Sequence, residues 1–260
     1  MLKPKIKLII VAVLFSQILY FDSAFAEEQK DWSLKLDNTV NSKYVWRGIN
    51  LVDDYVYQPS IATTYKWISI CVWGSMETTN ENHYPGHGDT AGDFTEIDYT
   101  LTIANSWKKL NYSLGGITYT FPNTGFDPTT EIFGSLGLDA LLAPTVTAYY
   151  DADLTHGTYG TFAVSHKFEN LLKLPGNAVL SATLGAQVGF ASNDHNRFYY
   201  GCDKTAFTDA LFTAGLPLAI GRYFTITPAA YYSTLIDDRV RDQMEDDENF
   251  WYGISLTVTF

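Results

Sequence analysis

Phe250-Trp251-Tyr252-Gly253-Ile254-Ser255-Leu256-Thr257-Val258-Thr259-Phe260 closes the chain in a strict two-residue alternation. Tyr252, Ile254, Leu256, Val258 and Phe260 share one face of an extended strand, and Gly253, Ser255, Thr257 and Thr259 share the other. A soluble sandwich also uses amphipathic strands, but it has no reason to finish flush on an aromatic. Closing strands of bacterial outer-membrane barrels have this form, so the stretch predicts an all-β, antiparallel transmembrane β-barrel.

Working back from that strand, twelve amphipathic segments are predicted near 32–46, 57–67, 68–77, 94–106, 109–121, 130–139, 144–152, 159–168, 177–190, 206–215, 222–234 and 249–260. Most have the roughly 9–11 residues that a tilted membrane strand needs. Short connections near 67, 107, 140–143, 169–176 and 216–221 alternate with longer polar ones at 47–56, 78–93, 122–129, 153–158, 191–205 and 235–248. Short periplasmic turns and long external loops make this signature, and an even strand count leaves both termini periplasmic.

In the first segment Trp32, Leu34, Leu36, Val40, Tyr44 and Trp46 are predicted to face outward, with Ser33, Lys35, Asp37, Thr39, Asn41, Lys43 and Arg47 inward. In the fifth, the apolar phase slips between Leu114 and Ile117, and Gly115-Gly116 is the expected bulge. Aromatics collect at strand ends. Tyr44, Trp46, Tyr55, Tyr57, Phe121, Tyr149, Tyr150, Tyr159, Tyr231, Tyr232 and Trp251 are expected in an external girdle, and Trp32, Trp67, Trp107, Phe168, Phe224 and Phe260 in a periplasmic one.

The start of the chain reads as a secretory signal: Lys3, Lys5 and Lys7, an apolar stretch from Leu8 to Tyr20, then Ala24-Phe25-Ala26. The expected domains are therefore a signal peptide, 1–26, and a barrel, 27–260. The signal holds three of the 17 basic and one of the 29 acidic residues, so the remainder carries 14 against 28, a net charge of −14. Nucleic acid is a poor partner for such a chain. Mean hydropathy is −0.07, as expected where apolar outward residues average against polar inward ones. Past residue 26 no apolar run reaches the roughly 18 residues of a helical span, so a membrane form must be a closed barrel. Cys71 and Cys202 are the two cysteines, and the strand map separates them, so they are expected to be unpaired.

Ser42-Lys43-Tyr44-Val45-Trp46-Arg47-Gly48, Gln58-Pro59-Ser60, Val72-Trp73-Gly74-Ser75 and Glu96-Ile97-Asp98-Tyr99 together resemble the TorF-type porin family of bacterial outer-membrane proteins. The likeness covers about residues 40–100. It implies an outer-membrane barrel and the label porin, and supplies no substrate.

Candidate pore-lining residues are Lys35, Asp37, Lys43, Arg47, Glu77, Glu96, Asp98, Glu131, Asp139 and Asp151. Arg47 could grip an anionic solute or pair with an inward carboxylate. Carboxylates outnumber the inward bases, so a water-filled lumen would favour cations, while a ladder of ion pairs across a closed lumen fits the same residues. Glu96 and Asp98 would repel unless a base or ion sits between them. His83 and His87 with Glu81, Asp89 and Asp93 read as a hydrated loop rather than a metal site, and the acidic loop 237–248 as a diffuse cation collector. His166 on the outward face lacks an orienting acid, and Ser165 points away from it. No Gly-x-Ser-x-Gly elbow, zinc-binding His-Glu-x-x-His or phosphate loop occurs.

The expectation is a non-enzymatic channel for passive diffusion of small hydrophilic solutes, modestly cation-preferring and without a cofactor. Its other expected partners are outer-membrane lipids and lipopolysaccharide, and the barrel-assembly machinery through the strand ending at Phe260. The oligomeric state is left open. The rivals are a plugged structural or adhesion barrel and a lipid-modifying enzyme.

Overall fold

The computed structural model describes residues 31–84 and 86–260; the expected signal peptide lies outside them. In chain order the elements are β1 (Trp32–Asn41), β2 (Tyr44–Trp46), β3 (Ile49–Val52), β4 (Val56–Tyr65), β5 (Ile68–Glu77), β6 (Phe94–Trp107), β7 (Leu110–Thr120), β8 (Thr129–Leu138) and β9 (Thr145–Asp151). There follow β10 (Thr158–Leu174), β11 (Ala178–Ala191), α1 (Asn193–Tyr199), β12 (Ala206–Gly215), β13 (Leu218–Ile220), β14 (Phe224–Leu235), α2 (Asp238–Arg241) and β15 (Glu248–Thr259).

All strands but β2 and β3 join one antiparallel sheet that closes on itself, with β1 hydrogen-bonded to β4 on one side and to β15 on the other. β12 and β13 share one stave, since both pair with β11 and β14; the break falls at Leu216-Pro217, where proline offers no N–H to the ladder. The result is a barrel of twelve staves. Closure is what hydrocarbon demands, because each unpaired backbone group there costs several kcal/mol.

Outward side chains of the staves are apolar and about half exposed, as for Leu101 (50%), Leu114 (59%), Leu136 (58%) and Ile254 (52%). Turns at 66–67, 108–109, 139–144, 175–177 and 221–223 lie at one end of the barrel, with the start of β1 and the end of β15. The long connections lie at the other. Trp32, Trp67, Trp107, Phe168, Phe224 and Phe260 are exposed at the short-turn end, as the expected girdle requires.

Four details differ from the sequence expectation. The first strand stops at Asn41, and Tyr44–Trp46 turn into the lumen as one arm of a β2–β3 hairpin. Tyr44 (5% exposed) and Trp46 (2%) are thus core residues, and Phe121, Tyr149, Tyr159, Tyr231 and Trp251 also face inward; Tyr55 and Tyr150 remain outside. Strand β10 runs on to Leu174, which shrinks the expected 169–176 connection to a turn at 175–177. At Gly115-Gly116 there is no bulge, for β7 keeps an unbroken register with β6 and β8.

The apparent slip in β7 has a physical cause. Toward the long-loop end the lumen is filled with packed side chains, so Ile117 and Tyr119, both 0% exposed, are apolar on the inward face. Gly115 makes room for that core: a Cβ there would stand 2.4 Å from Phe133 Cζ and 2.5 Å from the Leu101 carbonyl oxygen. Gly115→Ala should therefore cost about 1–3 kcal/mol by overpacking. Gly116→Ala, whose nearest contact would be 3.7 Å away, should leave the midpoint of urea unfolding in lipid vesicles unchanged. Equal midpoints for the two variants would contradict this packing.

Candidate functional site

The site is built on the tip of the β2–β3 hairpin. Arg47 (φ 46°) and Gly48 (φ 84°) both take the left-handed conformation of a type I′ turn. Gly48 is obligatory, because besides its positive φ a Cβ would lie 2.6 Å from Leu235 Cδ2. The turn aims Arg47 into the lumen, where Nη1 and Nη2 donate to Glu131 Oε1 and Oε2 at 2.9 and 2.7 Å. Tyr119 donates its hydroxyl to Glu131 Oε2 at 2.8 Å. The guanidinium carbon lies 4.5, 5.1 and 4.1 Å from the ring centres of Trp46, Tyr149 and Tyr159. Such a cage suits a weakly hydrated planar cation.

A second inward element locks this tip. The loop after β11 carries α1, whose first turn is capped by the Ser192 side chain accepting from His195 N. Tyr200 donates its hydroxyl to the Arg47 carbonyl, and His195 Nε2 lies 3.0 Å from Arg47 Nη1. Arg47 has only donors, so Nε2 must accept and the His195 proton sits on Nδ1, facing Asn196 Oδ1 at 3.4 Å. Both Arg47 and His195 lie outside the spanning strands. For His195, burial first and then the Arg47 charge hold the pKa well below 6.5. Burial works against the charge of Arg47, yet Glu131 more than offsets it and the pKa rises.

The other candidate residues divide by position. Glu77 (0% exposed) accepts from Tyr84 Oη at 2.7 Å and Thr90 Oγ1 at 3.1 Å, anchoring the 78–93 loop over the lumen. Asp151 binds the Asp153 and Leu154 amides and the Thr129 hydroxyl, which orders its own loop. Glu96 accepts from Tyr44 Oη at 2.9 Å, while both oxygens of the buried Asp98 lack a hydrogen-bond partner. Among the described residues no base pairs with either. Lys43 is neither on β1 nor in the cavity wall; it pairs with Asp53 in the loop. Asp139 is exposed in the β8–β9 turn, away from the lumen wall.

Below Trp46, Arg47 and Gly48, toward the short-turn end, lies a cavity of about 400 Å³. Of the ten candidates, Lys35, Asp37 and Arg47 line it. Asp209, Tyr159 and the aromatic pair Tyr231 and Trp251 line it too. Asp209 and His195 were not among the sequence candidates. The available signals were an acid inside the apolar run 206–212 and the Ser192-Asn193-Asp194 cap before Phe198-Tyr199-Tyr200. Among the described residues no group of three or more His, Cys, Asp or Glu is arranged to hold a metal ion. His166 Nδ1 lies 2.7 Å from the Leu141 carbonyl oxygen and the ring stands edge-on to Phe168, so contacts around it are structural. Cys71, on the cavity wall, and Cys202, in the loop core, are both free thiols.

The NanC porin superposes with a TM-score of 0.51 at 12% identity, covering 86% of this chain and 98% of that one. An outer-membrane channel from Pseudomonas putida F1 superposes with a TM-score of 0.44 at 11% identity, covering 88% and 94%. The fold is that of an outer-membrane β-barrel. No protein-family model and no curated protein sequence matches the chain, so the family likeness over residues 40–100 rests on those motifs alone.

Two outcomes follow from the hairpin contacts. Glu131→Leu strands a buried guanidinium and should cost about 3–5 kcal/mol in urea unfolding, whereas the double variant Arg47→Met with Glu131→Leu should cost much less; equal costs would contradict a buried pair. Because unfolded His195 takes up a proton near pH 6.5 and the packed residue does not, the packing of α1 is strongest above that pH and weakens as pH falls through it. Hydrogen exchange of residues 192–205, corrected for its intrinsic pH dependence, should speed up from pH 7.5 to 5. His195→Phe should remove that extra acceleration.

Proposed function

We propose that the protein is an outer-membrane channel for passive diffusion of small hydrophilic solutes, with its short-turn end in the periplasm. The observation that carries this reading is the cavity of about 400 Å³ inside a closed barrel, beneath the inward β2–β3 hairpin. On this reading, displacing the hairpin tip from Glu131 and Tyr200 would join the cavity to the long-loop end. Lipopolysaccharide and outer-membrane lipids would contact the apolar belt, and β15, leading to Phe260, would engage the barrel-assembly machinery.

The modest cation preference receives its support from the loops rather than the cavity. On the cavity wall Lys35 and Arg47 balance Asp37 and Asp209. At the long-loop end Asp242, Glu245, Asp246, Asp247 and Glu248 follow one another closely, which concentrates cations at the mouth. Five of the inward carboxylates counted as pore-lining, Glu77, Glu96, Asp98, Glu131 and Asp151, are instead at most 2% exposed. That packing favours one second reading, a plugged barrel with a structural role.

Planar-bilayer recording separates the two. The channel reading expects small discrete conductance steps, a reversal potential in a KCl gradient shifted toward potassium, and larger or more frequent openings for Arg47→Ser. Silence from both proteins would sustain the plug, and an anion-selective potential would remove the cation preference.

A further inference from the structure

Of the four charged side chains of the cavity wall, Arg47, Asp37 and Asp209 are held by protein groups and Lys35 is half-exposed beside Asp37. Arg47 is bound by Glu131 through both carboxylate oxygens. Asp37 accepts from the hydroxyls of Thr39 and Thr257, each at 2.7 Å, with Lys35 Nζ at 3.9 Å. Asp209 accepts from Tyr159 Oη at 3.0 Å and from Thr208 Oγ1 at 2.8 Å. The one exposed charge, Lys35, stands beside Asp37, and the wall carries two acids against two bases, so a charged solute would gain little net attraction for the hydration it loses.

What the wall does offer is hydroxyl and ring surface. Ser60, Thr161, Gln187, Thr213, Thr227 and Ser255 line the cavity from six different staves. On one side Tyr231 and Trp251 stack with ring centres 5.1 Å apart and planes 18° from parallel. Directly above that pair Ser233 faces Asn249 across β14 and β15. Both are 2% exposed, and Ser233 Oγ and both Asn249 side-chain polar atoms lack any hydrogen-bond partner. Buried polar atoms left in this way are costly unless a ligand or water meets them.

We propose that this cavity is a binding site for a neutral, polyhydroxylated solute of one or two sugar rings, an inference that rests on the channel reading above. A pyranose ring lays its C–H face on Tyr231 and Trp251, while its hydroxyls bond to the Thr, Ser and Gln side chains and reach Ser233. The cavity volume is at the lower end of the roughly 300–1,000 Å³ typical of small-molecule sites. Neutrality is the specificity element, because the wall's charges balance one another: Lys35 stands beside Asp37, Arg47 is bound by Glu131, and Asp209 is met by the Tyr159 and Thr208 hydroxyls.

The test is isothermal titration of the full-length barrel, refolded in detergent, with glucose, maltose, gluconate and glucosamine. Saturable binding of glucose or maltose is expected, with gluconate and glucosamine weaker by about tenfold or more. Trp251→Ala should weaken the neutral sugar by about tenfold. If that variant loses the heat-modifiable gel shift of a folded barrel, Thr213→Val and Gln187→Leu carry the same expectation of weaker binding. Equal or tighter binding of gluconate or glucosamine, or no saturable neutral-sugar binding, overturns the inference. Conductance steps without sugar binding would remove this site and leave the channel; sugar binding without conductance would remove the channel reading and leave the site.

Discussion

Backbone hydrogen bonding around the ring of staves is the constraint on which everything else rests. The β1–β15 pairing, from Lys35 opposite Thr259 to Asn41 opposite Gly253, converts an open sheet with two edges into one with none. In water such edges would be tolerable; in hydrocarbon they are not. Once the ring is closed, strict alternation assigns every second side chain to lipid and the rest to the lumen. A lumen of this size must then be filled, bridged or wet.

The protein fills the half toward its long loops and leaves the other half open. The filling is a second core, made by the β2–β3 hairpin, α1 and the inward faces of β7 and β8. Between that core and the wall lies a belt of polar groups: Glu96 with Tyr44, Glu131 with Arg47 and Tyr119, Asp151 with Tyr199, and Asp209 with Tyr159. Tyrosine suits this boundary, since its ring joins the apolar filling while its hydroxyl satisfies a wall carboxylate. The belt is complete along β7 to β12, while on β6 both oxygens of Asp98 and Oε1 of Glu96 lack partners. Along β14, β15 and β1 it is incomplete, where Ser233, Asn249 and Asn41 keep partnerless atoms. The hairpin is therefore bound tightly on one side of the barrel and loosely on the other.

The staves were legible because two-residue alternation survives averaging over any neighbours, so boundaries such as 68–77 and 206–215 match to the residue. The filling was not legible, for three physical reasons. Tyr44 and Trp46 continue the period of β1, so nothing in the alternation marks the departure at Asn41. Aromatics at a strand end satisfy either a headgroup belt or an inner core, and only packing decides which. Pairing partners such as Arg47 and Glu131, 84 residues apart, meet through barrel closure rather than through spacing. Some signals were present: Arg47-Gly48 is a plausible hairpin turn, and Phe198-Tyr199-Tyr200 is too apolar for a hydrated loop.

The alternation of environments along β15 is the most direct thing to measure. Nitroxide labels placed singly at positions 252 to 257 of the barrel in lipid vesicles report collision with oxygen, which dissolves in lipid, and with a polar nickel chelate. The lipid-facing, closed barrel predicts high oxygen collision at 252, 254 and 256 and low values at 253, 255 and 257, in a clean period of two. Accessibilities that rise and fall with a period near 3.6, or that show no alternation, would contradict it.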